Sequence, residues 1–289
     1  MRILLIGLLL SVATALLPES PDIHTKFLTA VKKGNVAEVE ALLKQGAFVD
    51  SVDSNGRPAI SLAVESAKKT DCKIVKALIA AGASNAIEVD KDILTRYFKV
   101  APSCLRVLLD EGGYDLNACV RTKNEYLDWS RPAFHMIIYD MGFKSLPLDE
   151  LKRFEDKIDF TKLNSNGGSV IGSLWLSLGI HKNLFELLQY VVSKGVFVES
   201  KGIDGREQFC AVSHHDEELR SFEYLLSIEP HLANIQCMYY EYIPIESYIR
   251  KQKPKLMNEK LKLLKEAKAR AATVPPISLE WRDSAPRCD

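Results

Sequence analysis

His214-His215-Asp216-Glu217 is the one run of this 289-residue chain whose side chains resemble a metal or acid–base set. Adjacent positions on a helix point to different faces, so the four do not converge from one helix. They fall where two short helical patterns meet, which predicts a solvated loop. No Ser or Cys nucleophile motif, phosphate-binding glycine loop or convergent acid pair stands at a recognisable spacing elsewhere. Gly167-Gly168 lacks the strand and helix that a dinucleotide site needs. The expectation is no catalytic residue, no metal site and no cofactor. Side chains suited to recognition lie in two other runs: Arg121, Tyr126 and Trp129 with Lys123, and Tyr239, Tyr240 and Tyr242 with Met238. Tyr, Trp and Arg join a large apolar area to a polar tip and carry much of the energy of protein interfaces. The competing use of these aromatics is to fill gaps around irregular local structure.

What must position them is a repeat. Residues 27–50 place Phe27, Leu28 and Ala30 on one helix face, break at Gly34-Asn35, and place Val39, Leu42 and Leu43 on a second helix that ends at Gly46. The next unit opens on the turn Asp53-Ser54-Asn55-Gly56, continues through Arg57-Pro58-Ala59-Ile60-Ser61-Leu62-Ala63, and closes with Ile74, Val75, Leu78, Ile79, Gly82 and Ala83. Pro58 fits the first turn of a helix, where a missing N–H costs little. Segment 65–73 reads as a long break between that unit's helices.

The second unit resembles the ankyrin repeat, whose pattern runs G-x-T-P-L-H-x-A-A and then I-V-x-x-L-L-x-x-G-A; here Pro58 stands for the usual Thr and Ala59 for the Pro. Leu108-Leu109-Asp110-Glu111-Gly112-Gly113 with Asp115-Leu116-Asn117-Ala118 is close to the family's closing phrase, although the first helix of that third unit is poorly marked. Arg131-Pro132-Ala133-Phe134-His135 reopens the pattern with His at the family's His position, where it is expected to support the stack by hydrogen bonding. Its second helix comes late, at 148–154. A fifth unit carries Gly167, Leu174, Leu187, Leu188, Val191, Val192 and Gly195, with Trp175 expected in the core, and a sixth carries Gly205, Phe209, Leu225 and Leu226. A seventh, from Tyr242-Ile243-Pro244-Ile245 to Leu263-Leu264, reads as a terminal cap. The resemblance implies an all-α solenoid of roughly six to seven helix-turn-helix units, irregular in its later repeats, over residues 22–270, with 271–289 as an irregular tail. It also implies a concave face, made by junction loops and first helices, that binds a protein partner.

Composition supports a stably folded scaffold and excludes other classes. The chain carries 38 Lys and Arg against 38 Asp and Glu, so no nucleic-acid partner is expected. Residues 250–270 concentrate nine Lys or Arg against Glu259 and Glu266, with Leu256, Leu261, Leu263 and Leu264 facing the stack, which predicts a solvated capping face. At the other end, Arg2, the apolar run 3–17 and Ala13-Thr14-Ala15 form a secretory signal with cleavage after Ala15, ended by Pro18, Glu19, Pro21 and Asp22. The mature chain is therefore expected to be secreted, in the secretory pathway or in a periplasm, with no stable membrane insertion, and monomeric. Secretion permits disulfides among Cys72, Cys104, Cys119, Cys210, Cys237 and Cys288, yet their spacing shows no compact framework, several sit at core-like helical positions where a free thiol packs as a small hydrophobe, and a fold that depends on disulfides is not expected. Cys288, in a mobile tail, is a candidate for pairing between chains. The function that follows is non-catalytic protein binding; the alternatives are a structural adaptor or self-assembling component, and a cryptic metal-dependent enzyme around His214.

Overall fold

A computed structural model describes residues 22–123, 128–144, 148–175, 184–196, 198, 208–216, 219–238, 240–275 and 284–289. The expected signal segment 1–15 lies outside them, as do Tyr126, Gly205, Glu217 and Tyr239. The first unit shows how the sequence makes a helix pair. Asp22 starts α1 (Ile23–Lys33) by accepting the Thr25 N–H at 2.7 Å, and Asn35 starts α2 (Val36–Lys44) by accepting the Glu38 N–H at 3.3 Å while its own amide donates to Glu38 at 2.7 Å. Between them Gly34 sits at φ 78°, and a Cβ there would lie 3.1 Å from both Ser66 Cβ and Thr70 Cγ2 of the next unit. Glycine is thus required twice, for the turn and for the approach of a neighbouring helix.

The same pairing recurs along the chain. The second unit is α3 (Ala59–Leu62) and α4 (Val64–Thr70) with α5 (Lys73–Ala80), and the third is α6 (Ile93–Val100) with α7 (Pro102–Glu111). The fourth and fifth pair α8 (Ala133–Lys144) with α9 (Leu148–Lys152) and α10 (Val170–Trp175) with α11 (Leu184–Ser193). The last two pair α12 (Gln208–His215) with α13 (Arg220–Ile228) and α14 (Ile245–Gln252) with α15 (Met257–Ala271). First helices pack on first helices from α1 through α4, α6, α8, α10 and α12 to α14, while α2, α5 and α7 form the layer behind them in the first three units. The core is therefore a continuous ribbon with Phe27, Ile60, Tyr97, Phe134, Phe209 and Phe222 buried along it. This is an all-α repeat solenoid.

Three expectations are corrected. Segment 65–73 is not a long break: α4 carries the first helix on to Thr70 because Val64 and Ala67 are buried and Ser66 and Thr70 pack over Gly34, leaving only Asp71 and Cys72 at φ 48° and 61° to make the turn. The weakly marked first helix of the third unit is a full one, burying Ile93, Leu94, Tyr97 and Phe98, with Tyr97 Oη donating to the Ile60 carbonyl at 2.8 Å. The cysteines are not free thiols; Cys72 pairs with Cys104, Cys210 with Cys237 and Cys119 with Cys288. Stacking explains the first pair: Cys72 stands just before α5 and Cys104 in the first turn of α7, 32 residues on, and packing of these two helices brings their starts together. Cys288 is 1% exposed and bonded within its own chain, which removes it as a link between chains.

Junctions between units are stitched by side chains that satisfy turn backbone. Asp50 accepts the Ser84 N–H and hydroxyl at 2.9 and 2.6 Å, and Asn85 donates to the Gly113 carbonyl at 3.1 Å. Asn117 donates to the Lys157 carbonyl at 3.0 Å and accepts the Asp159 N–H at 2.7 Å. Two junctions rise into antiparallel hairpins, β1 (Cys119–Lys123) with β2 (Asp128–Pro132) and β3 (Gln236–Met238) with β4 (Tyr242–Pro244). The basic stretch forms α14 and α15, whose inner side buries Ile249, Lys260, Leu264 and Ala267. Some of its outer charges are paired, Lys268 with Glu246 at 2.7 Å and Lys262 with Glu266 at 4.0 Å, and Lys251, Lys255 and Lys265 are exposed, as a capping face requires.

Candidate functional site

The second hairpin presents aromatic side chains outward for a local reason. Strand residues alternate faces, so with Cys237 and Ile243 paired and buried, their neighbours Tyr242 and Pro244 point out. Tyr242 is 55% exposed and Tyr240, in the turn, 92% exposed. Cys237 is bonded to Cys210 of α12, so the hairpin is held to the first helix of the preceding unit rather than left as a free two-stranded ribbon. Of the six candidate residues, this is where two come together on open surface.

The first hairpin is placed differently. Arg121 is exposed on β1, and its carbonyl accepts the Lys91 ammonium from the preceding junction. Trp129 lies in β2 opposite Thr122. The base of the hairpin is anchored by Val120 and Ser130, both buried, and by the Ser165 N–H donating to the Ser130 carbonyl at 2.8 Å. Arg121 and Trp129 therefore share one ribbon, separate in sequence and in unit from Tyr240 and Tyr242.

Comparison with solved structures decides the family of folds. The ankyrin repeat domain of Bcl-3, a member of the IkappaB family, superimposes with a TM-score of 0.59 at 18% identity, covering 83% of this chain and 98% of that one. EF0377, an ankyrin repeat protein, superimposes with a TM-score of 0.50 at 18% identity, covering 71% of this chain and 97% of that one. The chain is an ankyrin-repeat solenoid. No family model matches its sequence, and no curated protein is significantly similar to it.

Within the ankyrin frame His135 has the supporting role that the resemblance implied. It is 1% exposed, and its Nε2 lies 3.2 Å from the Lys162 carbonyl, which only accepts, so Nε2 carries the proton. Burial, together with the charge of Arg131 and against the pull of the Lys162 carbonyl, lowers its pKa to about 3, so the imidazole is neutral at ordinary pH. The His214 run has a structural task as well. His214 and His215 end α12, and the Asp216 carboxylate accepts the Phe222 N–H at 2.8 Å in the first turn of α13. Among the described residues no three His, Cys, Asp or Glu side chains gather as a metal set.

The sequence reading missed three apolar residues of the ankyrin junctions. Phe48 and Val52, between the first and second units, are 60% and 54% exposed, and Val89, between the second and third, is 67% exposed. The signal was legible: each is an apolar residue between two helices, where the helical pattern gives it no buried face. Their neighbours are occupied elsewhere. Asp53 binds Arg57 at 3.0 Å and Lys32 at 3.2 Å; burial opposes its charge, but these cations and the N–H groups of Arg57 and Asn55 outweigh burial and hold its carboxyl far below the usual range.

Proposed function

We propose that this ankyrin-repeat chain is a non-catalytic scaffold that binds another protein through its junction face, with the β3–β4 hairpin as the anchor. The observation that carries this reading is Tyr240 and Tyr242 held outward on a ribbon that a disulfide fixes to α12. Large, nearly rigid aromatics on a preorganised support lose little entropy on binding. Arg121 and Trp129, on the first hairpin, belong to the same row of junctions, and Tyr126 and Tyr239 are further candidates from the sequence. Capture of a partner from native extracellular material by the tagged chain, followed by the Tyr240→Ala/Tyr242→Ala variant, tests it. The expected result is at least tenfold weaker capture with unchanged helical circular dichroism. Undiminished capture removes this hairpin from the face; loss in Phe48→Asp/Val89→Asp instead would move the face to the first junctions.

The proposed compartment is oxidising and reached by secretion. Two independent features support it: the signal-like segment 1–17 and the pairing of all six cysteines, which persists outside the reducing cytosol. Mass measurement of the chain isolated from its native compartment is expected to give a first residue of Leu16; a chain retaining Met1 would refute processing. Among the described residues no helix is long and apolar enough to cross a membrane.

A further inference from the structure

The last residues do something that an ankyrin stack does not require. Leu163 N–H donates to the Pro286 carbonyl at 2.8 Å and Cys288 N–H donates to the Leu163 carbonyl at 3.0 Å, so Arg287 pairs with Leu163 in a single parallel bridge. Pro286 contributes only its carbonyl, which suits a residue without an N–H. The receiving edge is built rather than incidental. Asn164, 2% exposed, closes the adjoining turn by accepting the N–H groups of Asn166 and Gly168 at 2.9 and 2.8 Å. Ser165 is tied to Ser130 of β2 in both directions, and His135 holds the neighbouring Lys162 carbonyl.

Recognition here is by main chain, through two hydrogen bonds to Leu163, the backbone-to-backbone pairing that extended peptides use in docking. Of the docked segment, Pro286, Arg287 and Asp289 are exposed and only Cys288 is buried, bonded to Cys119 across 169 residues of chain. Cys288 is 1% exposed but Cys119 is half-buried, whereas both partners of the other two disulfides, Cys72, Cys104, Cys210 and Cys237, are 7% exposed or less, so a reductant's approach to this bond is from the Cys119 side. We propose that the Leu163 edge is an extended-peptide docking site, that the chain's own C-terminal segment is its resident occupant, and that reduction of Cys119–Cys288 opens it to a like peptide of a partner protein. The partner segment is extended, with a main-chain carbonyl accepting the Leu163 N–H and an N–H two positions on donating to the Leu163 carbonyl. Opening is a two-electron reduction: a dithiol transfers two electrons and two protons, the S–S bond breaks into two thiols, and the dithiol leaves as its own disulfide. The site lies at a different junction from Tyr240 and Tyr242, so the two readings fail independently.

The test uses the full chain. Graded dithiothreitol with alkylation and peptide mapping should label Cys119 and Cys288 at a reductant concentration at least tenfold below that needed for the other four cysteines. In the opened protein, amide exchange at Leu163 should rise at least tenfold while α1 and α7 stay protected. A fluorescein-labelled peptide of residues 284–289 carrying Cys288→Ser should then bind saturably by anisotropy, and at least tenfold more weakly to the oxidised chain. Cys288→Ser and Cys119→Ser in the full chain give the open state without reductant, by two routes that a folding defect in one does not confuse. Equal binding to both states, no binding to the opened chain, unchanged Leu163 exchange, or simultaneous labelling of all six cysteines would each overturn the proposal. Dimerisation on opening, seen by sizing, would assign the edge to a second copy and overturn the partner-peptide reading.

Discussion

The two hairpins are built alike and finished differently. Each is a short antiparallel ribbon rising from a junction, and each has a cysteine, Cys119 at the start of β1 and Cys237 in β3. Cys237 is bonded to Cys210, 27 residues away in the neighbouring unit, so it fixes a local angle and leaves Tyr240 and Tyr242 outside. Cys119 is bonded to Cys288, 169 residues away, so it closes the chain's end over the next junction. The same chemistry thus serves two ends, rigidity of an open face in one hairpin and occupation of an edge in the other. What a disulfide does in a solenoid follows from which neighbour the stack brings beside it.

Cys237→Ser is expected to have the largest effect. Cross-linking a loop of that length stabilises by about 3 to 4 kcal/mol through the unfolded chain, so urea or thermal unfolding should register a loss of this order. Acid comes next, and acts beside the first hairpin. His135 lies in the first turn of α8, just after β2, and takes a proton near pH 6.5 when unfolded and at about 3 when folded, so between these values the unfolded state binds the extra proton. Stability is therefore full above about pH 6.5 and falls as pH drops, by about 2 kcal/mol at pH 5. A pH series of urea midpoints should show this slope, and His135→Gln should flatten it between pH 6.5 and 5.

Cys288→Ser sharpens the comparison further. Loop length alone ranks Cys119–Cys288 above Cys210–Cys237, at about 5 kcal/mol, because the longer loop loses more entropy. If the tail undocks once released, the folded state regains that freedom too, and the loss is only about 1 kcal/mol, near the low end for disulfides. A cost above that of Cys237→Ser would show that the tail holds the array together rather than covering one edge. The smallest stability effect is expected for Tyr240→Ala/Tyr242→Ala, within about 0.5 kcal/mol, since exposed side chains away from caps and cores contribute little. A larger loss would place these tyrosines in packing and break their assignment as an open face.

How much of this was legible in the sequence differs by feature. Unit boundaries were visible where glycine, asparagine and the Leu pairs kept the repeat, as at Gly34-Asn35 and Leu42-Leu43. The helix over 64–70 was not, because its polar face, with Lys68 and Lys69, reads as a loop until Gly34 of the preceding unit is set against Ser66 and Thr70. Of the six candidate binding residues, Arg121 is exposed on β1, and Tyr240 and Tyr242 stand on open surface through the turn before β4 and alternation along it. Phe48, Val52 and Val89 lie between helices, where apolar periodicity assigns no face, so it is the structure that shows their exposure.

The amino-acid sequence by itself determined the ankyrin solenoid, since a repeated helix pair with small residues at its close approaches stacks in one way. The resemblance also implied the hydrogen bond by which His135 supports the stack, while its burial is the structure's finding. Only the tertiary structure decided the cysteine pairing. Cys72 and Cys104 become neighbours through stacking, but Cys119 and Cys288 meet only because the chain's end returns to Leu163, and no local pattern records a contact across 169 residues.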